Sequence, residues 1–144
     1  MRLRLSTAVV VALFLLLTLV LAGCGDGSPR PPDVTLTPVA PVDGVLTVRA
    51  FEWGFEPAAI TLRQGEEVRI VLVNDGKILH NLKVDDLAAD VTEASDADRL
   101  FVEAEEGEEG TLVFVPQASG SFTFYCAISG HRRLGMEGTL TITP

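Results

Sequence analysis

The segment Ser121-Phe-Thr-Phe-Tyr-Cys126-Ala-Ile-Ser-Gly-His131-Arg-Arg-Leu-Gly-Met136-Glu-Gly places a thiol, an imidazole and a thioether at equal intervals, as C-x4-H-x4-M. The β-forming residues that precede Cys126 predict a strand that ends there, and another strand begins soon after Met136. A turn at Ser129-Gly130 would bring His131 back towards Cys126. The segment therefore predicts three potential metal ligands on one tight loop between two strands.

A fourth potential ligand is His80, which follows the turn signal Asn74-Asp-Gly76 at the start of another predicted strand. The chain contains two histidines, so a site with both would use all of its imidazoles. Two histidines and a cysteine in a plane, with a weak methionine above it, form the ligand set of a single redox copper. We therefore predict one copper ion, Cu(I) or Cu(II), bound by His80, Cys126, His131 and Met136.

Each of these residues also has an ordinary interpretation when it is considered alone. A lone histidine is commonly a surface or turn residue, a buried cysteine can be inert, and Met136 could simply fill the core. Their order and spacing, at the end of a predicted strand, favour the metal site over four unrelated roles.

The rest of the chain carries many short segments rich in β-forming residues and punctuated by Gly and Pro. This pattern predicts an all-β Greek-key sandwich. The predicted strands, besides the one that ends at Cys126, cover residues 45–51, 60–62, 67–74, 78–84, 111–115 and 138–143.

The segment from Asp85 to Glu109 differs, because it holds eleven acidic residues and one basic residue, Arg99. We expect an acidic loop or short helix insertion here, with residues 88–97 as the candidate helix and residues 100–102 as a brief strand. The segment is either a solvated crossover or an acidic docking face for a partner, and the sequence leaves both open.

The N-terminal residues predict export. A basic start and an uncharged apolar run from Thr7 to Ala22 end in Leu21-Ala-Gly-Cys24, which resembles a bacterial lipobox. We therefore predict a signal peptide over residues 1–23, lipidation of Cys24, a Pro/Gly-rich linker over 24–41 and a folded domain over 42–144. An uncleaved anchor is the alternative. Both interpretations place the domain outside the cytoplasm, tethered to a membrane.

Charge and cysteine content narrow the function further. Removal of residues 1–23 takes away Arg2 and Arg4 and changes the formal charge from −9 to −11. So acidic a domain is a poor candidate for nucleic-acid binding and favours basic protein partners. With Cys24 lipidated, Cys126 has no partner for an internal disulfide, and an unpaired thiol in an oxidising compartment indicates a specific role.

At the four candidate ligands the chain resembles a cupredoxin, a small blue (type 1) copper protein. The spacing of these residues is similar to that of auracyanin and sulfocyanin-like members. The resemblance covers residues 42–144 and includes Phe51-Glu-Trp-Gly-Phe-Glu-Pro57, the pattern from Ile60 to Val68, and His80-Asn-Leu82. It implies that His80, Cys126, His131 and Met136 are the copper ligands. It also implies that Asn81 forms a hydrogen bond that steadies the cysteine loop, and that His131 lies near the surface in an apolar patch.

The resemblance implies a single-copper electron carrier served by redox protein partners, rather than an enzyme. The lipobox-like segment adds a lipid anchor, and a monomer is the default expectation. Arg132 and Arg133 follow His131 and could orient an acidic patch on such a partner, or could be solvated loop residues. Oxidase and nitrite reductase domains need further histidine clusters, and copper chaperones or storage proteins tend to use Met-rich or His-rich tracts. A metal-free adhesion module is the remaining alternative.

Overall fold

Ten β-strands form the regular structure of the computed structural model, which describes residues 37–96 and 99–144. The predicted signal peptide, Cys24 and most of the predicted linker lie outside these residues. The strands are β1 (Val45–Phe51), β2 (Gly54–Glu56), β3 (Ala59–Arg63), β4 (Val68–Asn74), β5 (His80–Val84), β6 (Ala89–Glu93), β7 (Phe101–Ala104), β8 (Glu109–Pro116), β9 (Gly120–Tyr125) and β10 (Glu137–Thr143). A 3-10 helix, Arg132–Leu134, lies between β9 and β10.

The strands form two five-stranded mixed sheets, which confirms the predicted all-β sandwich. One sheet has the order β2-β1-β4-β8-β6 and the other β3-β10-β9-β5-β7. β1 pairs with β4 in parallel, as β3 does with β10, and the other pairs are antiparallel. Neighbouring strands are therefore often distant in sequence. β5, which begins at His80, and β9, which ends just before Cys126, pair within one sheet.

Alternation of apolar and polar residues decides which side chains enter the core. In β1 the side chains of Leu46, Val48 and Ala50 are buried while their neighbours are exposed, as a period of two requires. Buried residues of both sheets, among them Leu72 and Phe114 from one and Leu82 and Phe124 from the other, belong to one apolar cluster. The two sheets thus share a single core, with the predicted ligand loop between β9 and β10.

The predicted short helix over residues 88–97 is wrong for the residues described. Ala89–Glu93 instead forms β6, which pairs with β8 at the edge of its sheet. Ala89 and Val91 pack against the core, whereas the intervening side chain of Asp90 is exposed. This period of two suits a strand, and pairing with β8 outweighs the helix propensity of the alanines.

The brief strand predicted over residues 100–102 is present as β7, which begins one residue later and ends two residues later. The acidic segment thus contributes one edge strand to each sheet. All of its acidic side chains within the described residues are exposed. Asp90, Glu93, Glu103 and Glu109 lie on strands, and the other acidic residues that the structure describes in this segment lie in the connecting loops.

The first sheet contact of the described region is made by Val39, before the predicted domain start at Val42. Its backbone N–H donates to Ala59 O at 3.0 Å and its carbonyl accepts from Thr61 N at 2.9 Å. Across residues 37–96 and 99–144, no helix combines the length and apolar character needed to cross a membrane.

Candidate metal centre

The loop that carries Cys126, His131 and Met136 is closed by its own backbone. Tyr125 and Glu137 are opposite each other in the β9–β10 pair, and Cys126 N–H donates to Met136 O at 3.1 Å. The chain reverses after the 3-10 helix at Gly135, whose φ of 101° is a left-handed value that glycine adopts at little cost. The pairing of two strands thus brings the first and last of these residues together.

His80 reaches the same place from β5, and the buried side chain of Asn74 shapes the loop before it. The Asn74 amide donates to Ile78 O and to Ala104 O, both at 2.8 Å, and its Oδ1 accepts from Gly76 N at 2.9 Å. These bonds satisfy three of the hydrogen-bonding positions of the amide and fix the approach of the chain to His80. Sequence reasoning identified a turn here but missed this role of Asn74.

The structure brings His80, Cys126 and His131 into one buried cluster. One potential ligand atom from each lies within 4.8 Å of the other two. Cys126 Sγ is 3.4 Å from His131 Nδ1. His80 and Cys126 are fully buried and His131 is 6% exposed. Met136 is also fully buried, at the end of the same closed loop.

An unpartnered nitrogen shows that this cluster fits a metal ion. His80 Nδ1 is buried and has no hydrogen-bond partner within residues 37–96 and 99–144, whereas its Nε2 lies 3.4 Å from Glu52 Oε1. A buried polar atom without a partner is costly unless something else satisfies it. Thiolate and imidazole donors together suit copper in either oxidation state, so the residues present match the expected cofactor.

The electrostatics of the cluster favour metal binding. Burial lowers the pKa of His131, and the proximity of His80 lowers it further. Both effects favour the neutral imidazole, which is the form that binds metal ions.

Asn81, which the family resemblance singled out, makes a hydrogen bond to the loop after Cys126. Its Oδ1 accepts a hydrogen bond from the backbone N–H of Ala127 at 2.6 Å. Because Asn81 follows His80 and Ala127 follows Cys126, this bond ties the strand of one candidate ligand to the loop that carries the other candidates. It holds the two parts of the site in register.

The two arginines after His131 have different surroundings. Arg132 Nε is 2.8 Å from Glu137 Oε2, and its guanidinium lies 4.3 Å from the centre of the Tyr125 ring. Arg132 thus packs against its own loop, although its side chain is half exposed. Arg133 is exposed on the same short helix.

Sequence reasoning also missed the turn between β1 and β2, which places one residue against each histidine. Glu52 lies beside His80, and the Trp53 ring packs edge-on against His131 with centroids 4.8 Å apart. Trp53 is 40% exposed, so it forms part of the surface above the buried site. The turn lies within Phe51–Pro57, which the resemblance included, but no local pattern indicated these contacts.

The fold and the ligand cluster agree with what comparison with known proteins shows. The chain belongs to the plastocyanin/azurin family of copper binding proteins, whose family model matches residues 42–143. The fold is that of a cupredoxin, similar to auracyanins, and the cofactor is one copper ion.

Two curated relatives and one solved structure illustrate the similarity. The copper-resistant cuproprotein CopI of Rubrivivax gelatinosus is 35% identical over 97 residues, which are 61% of this chain and 59% of that protein. Auracyanin-B of Chloroflexus aurantiacus is 32% identical over 111 residues, or 62% of this chain and 47% of that protein. The chain thus spans about half to three fifths of the length of these relatives.

The solved structure is that of dithionite-reduced auracyanin from Roseiflexus castenholzii. It matches with a TM-score of 0.58 and 17% identity, over 70% of this chain and 98% of that one. At this identity the match shows the fold.

Proposed function

We propose that this protein is an electron carrier that uses one copper ion bound by His80, Cys126, His131 and Met136. The observation that carries the proposal is the convergence of three buried ligand atoms within 4.8 Å, with His80 Nδ1 unpartnered. Copper bound there would accept and release one electron. The chain supplies ligands for both oxidation states and excludes water from them, which reduces the rearrangement that electron transfer requires.

The histidine content supports a carrier over an enzyme. The chain has two histidines, and the structure brings both to the same cluster. A catalytic copper would need further imidazoles and an open coordination position, whereas His80 and Cys126 are fully buried. We therefore propose that electrons are exchanged at the surface near His131, where Trp53 packs against the ring.

We also propose that the domain works outside the cytoplasm, on a membrane, as a monomer with redox protein partners. The lipobox-like Leu21–Cys24 supports the anchor, and the many exposed carboxylates support an electrostatic contribution to partner choice. Arg133, exposed beside the site, is the better candidate of the two arginines for contact with an acidic partner, because Arg132 is paired with Glu137.

A second candidate function is copper resistance, which the name of the Rubrivivax gelatinosus relative suggests. Under this alternative the protein would bind copper to protect the cell. Deletion of the gene would then lower copper tolerance without slowing electron flow to a terminal acceptor. If the protein is an electron carrier, deletion would slow electron flow and leave copper tolerance unchanged.

The visible spectrum of the full-length, copper-loaded protein tests the proposed site. We expect an intense blue absorption from thiolate-to-copper charge transfer, and Cys126→Ser should abolish it while circular dichroism still shows a folded sandwich. Cys24→Ser is the matched control, because it removes the other cysteine and should keep the colour while the protein leaves the membrane fraction. A colourless oxidised wild type that contains copper would contradict the proposal.

A further inference from the structure

The carboxylate of Glu52 lies beside Nε2 of the His80 ring, whereas the unpartnered nitrogen is Nδ1. Its Oε1 lies 3.4 Å from His80 Nε2 and accepts a hydrogen bond from the backbone N–H of Lys77 at 2.6 Å. If Nδ1 binds the metal, Nε2 carries the ring proton and donates it to this carboxylate. The imidazole then lies between the copper and a carboxylate.

The local chain is built to allow this contact. A Cβ atom at Gly76 would lie 2.6 Å from Glu52 Oε1 and 2.7 Å from His80 Nε2, too close for any other residue without movement. Gly76 is itself held by Asn74 Oδ1. The loop therefore leaves room for the carboxylate against the ring and anchors it there through Lys77.

We propose that Glu52 is a positioning residue that orients His80 and stabilises the copper(II) state relative to copper(I). This inference rests on the proposed function and adds a determinant of the reduction potential. A carboxylate that accepts the ring proton of a metal-bound histidine fixes the tautomer and raises the basicity of the ligand. Its negative charge favours the more highly charged ion.

Glu52→Gln tests the charge at nearly constant shape. Mutation of a residue that hydrogen-bonds to a metal-bound histidine typically lowers metal affinity or activity by about 10- to 100-fold. Because the Glu52 side chain is 29% exposed, we expect the lower end, about a tenfold loss of copper(II) relative to copper(I) affinity. The reduction potential, measured by redox titration of the full-length protein at fixed pH, should rise accordingly while the blue absorption remains.

Glu106→Gln is the matched control. Glu106 pairs with Lys77 Nζ at 2.9 Å, so it lies close to the same loop and carries the same charge. Its carboxylate is bound to the lysine side chain rather than to His80. A potential that rises in Glu52→Gln and stays near wild type in Glu106→Gln supports the proposal. Equal shifts in the two variants, or none in Glu52→Gln, would overturn it.

Glu52→Ala tests the positioning role with a second measurement. In the diamagnetic copper(I) protein, NMR should show faster solvent exchange of the His80 Nε2 proton in this variant than in wild type. An unchanged exchange rate would show that the carboxylate does not hold the ring. Failure of the proposed function would appear as missing blue absorption in the wild type. Failure of this inference alone would leave blue variants whose reduction potential and proton exchange rate match the wild type.

Discussion

Met136 has two roles that a single substitution can separate. It is fully buried, and its backbone carbonyl accepts the hydrogen bond that closes the loop at Cys126. The side chain is the proposed weak axial ligand, whereas the backbone bond is independent of the side chain. Replacement by another apolar residue of similar volume should therefore change the metal centre and preserve the loop.

Met136→Leu should keep the blue colour and raise the reduction potential, because a weak donor to copper(II) is lost. The exchange conserves volume and should cost less than about 1.5 kcal/mol of stability. Redox titration measures the potential, and Leu134→Ala, at an exposed position on the same loop, should leave it unchanged. A Met136→Leu protein with the wild-type potential would show that the axial assignment is wrong.

Short sequence intervals explain why some residues of the site could be anticipated. Cys126, His131 and Met136 share one loop, so a turn suffices to bring them together, and the structure does so for the first two with His80. The contact between Glu52 and His80 spans 28 positions and depends on how β1 lies against the loop before β5. No periodicity or motif in the sequence predicts such a contact, because it depends on how the two sheets pack against each other.

Among the structural elements, the loop between β4 and β5 depends on the buried amide of Asn74. Asn74→Ala would leave the carbonyls of Ile78 and Ala104 without this partner. Leaving a buried polar group unsatisfied costs about 1–3 kcal/mol, so the free energy of unfolding of the metal-free protein should fall by about that amount. Urea unfolding measures it.

The exposed amide of Gln64 provides the control, because it also donates to a backbone carbonyl, that of Gln117 at 2.9 Å. Gln64→Ala should change stability by less than about 0.5 kcal/mol. If both variants lost the same stability, burial of the Asn74 network would not be the cause.

Edge strands were harder to predict than central ones. The apolar runs of β4 and β8 follow from sequence because their side chains fill the core. In β6 the signal is weak, since the two core-facing residues, Ala89 and Val91, are small and partly buried. Alanine also prefers helices, and pairing with β8 outweighs that preference.

At the scale of the whole molecule, copper should couple to folding, because its proposed ligands join two elements, β5 and the β9–β10 loop. A ligand that binds the native state alone stabilises it by about 2.7 kcal/mol when its free concentration is about 100 times its Kd. Urea unfolding of the full-length protein with and without copper should show this increase. Cys126→Ser should show a much smaller one, and an equal increase in both proteins would place the copper elsewhere.

The closure of the ligand loop between β9 and β10 also has a consequence for biosynthesis. During translation His80 emerges well before Cys126, and the loop cannot close until β10 is available to pair with β9. A nascent chain that ends before Met136 has neither the complete set of proposed ligands nor the backbone bond that closes their loop. Acquisition of the metal must therefore be a late event, and a ribosome-bound intermediate should take up no copper at this site.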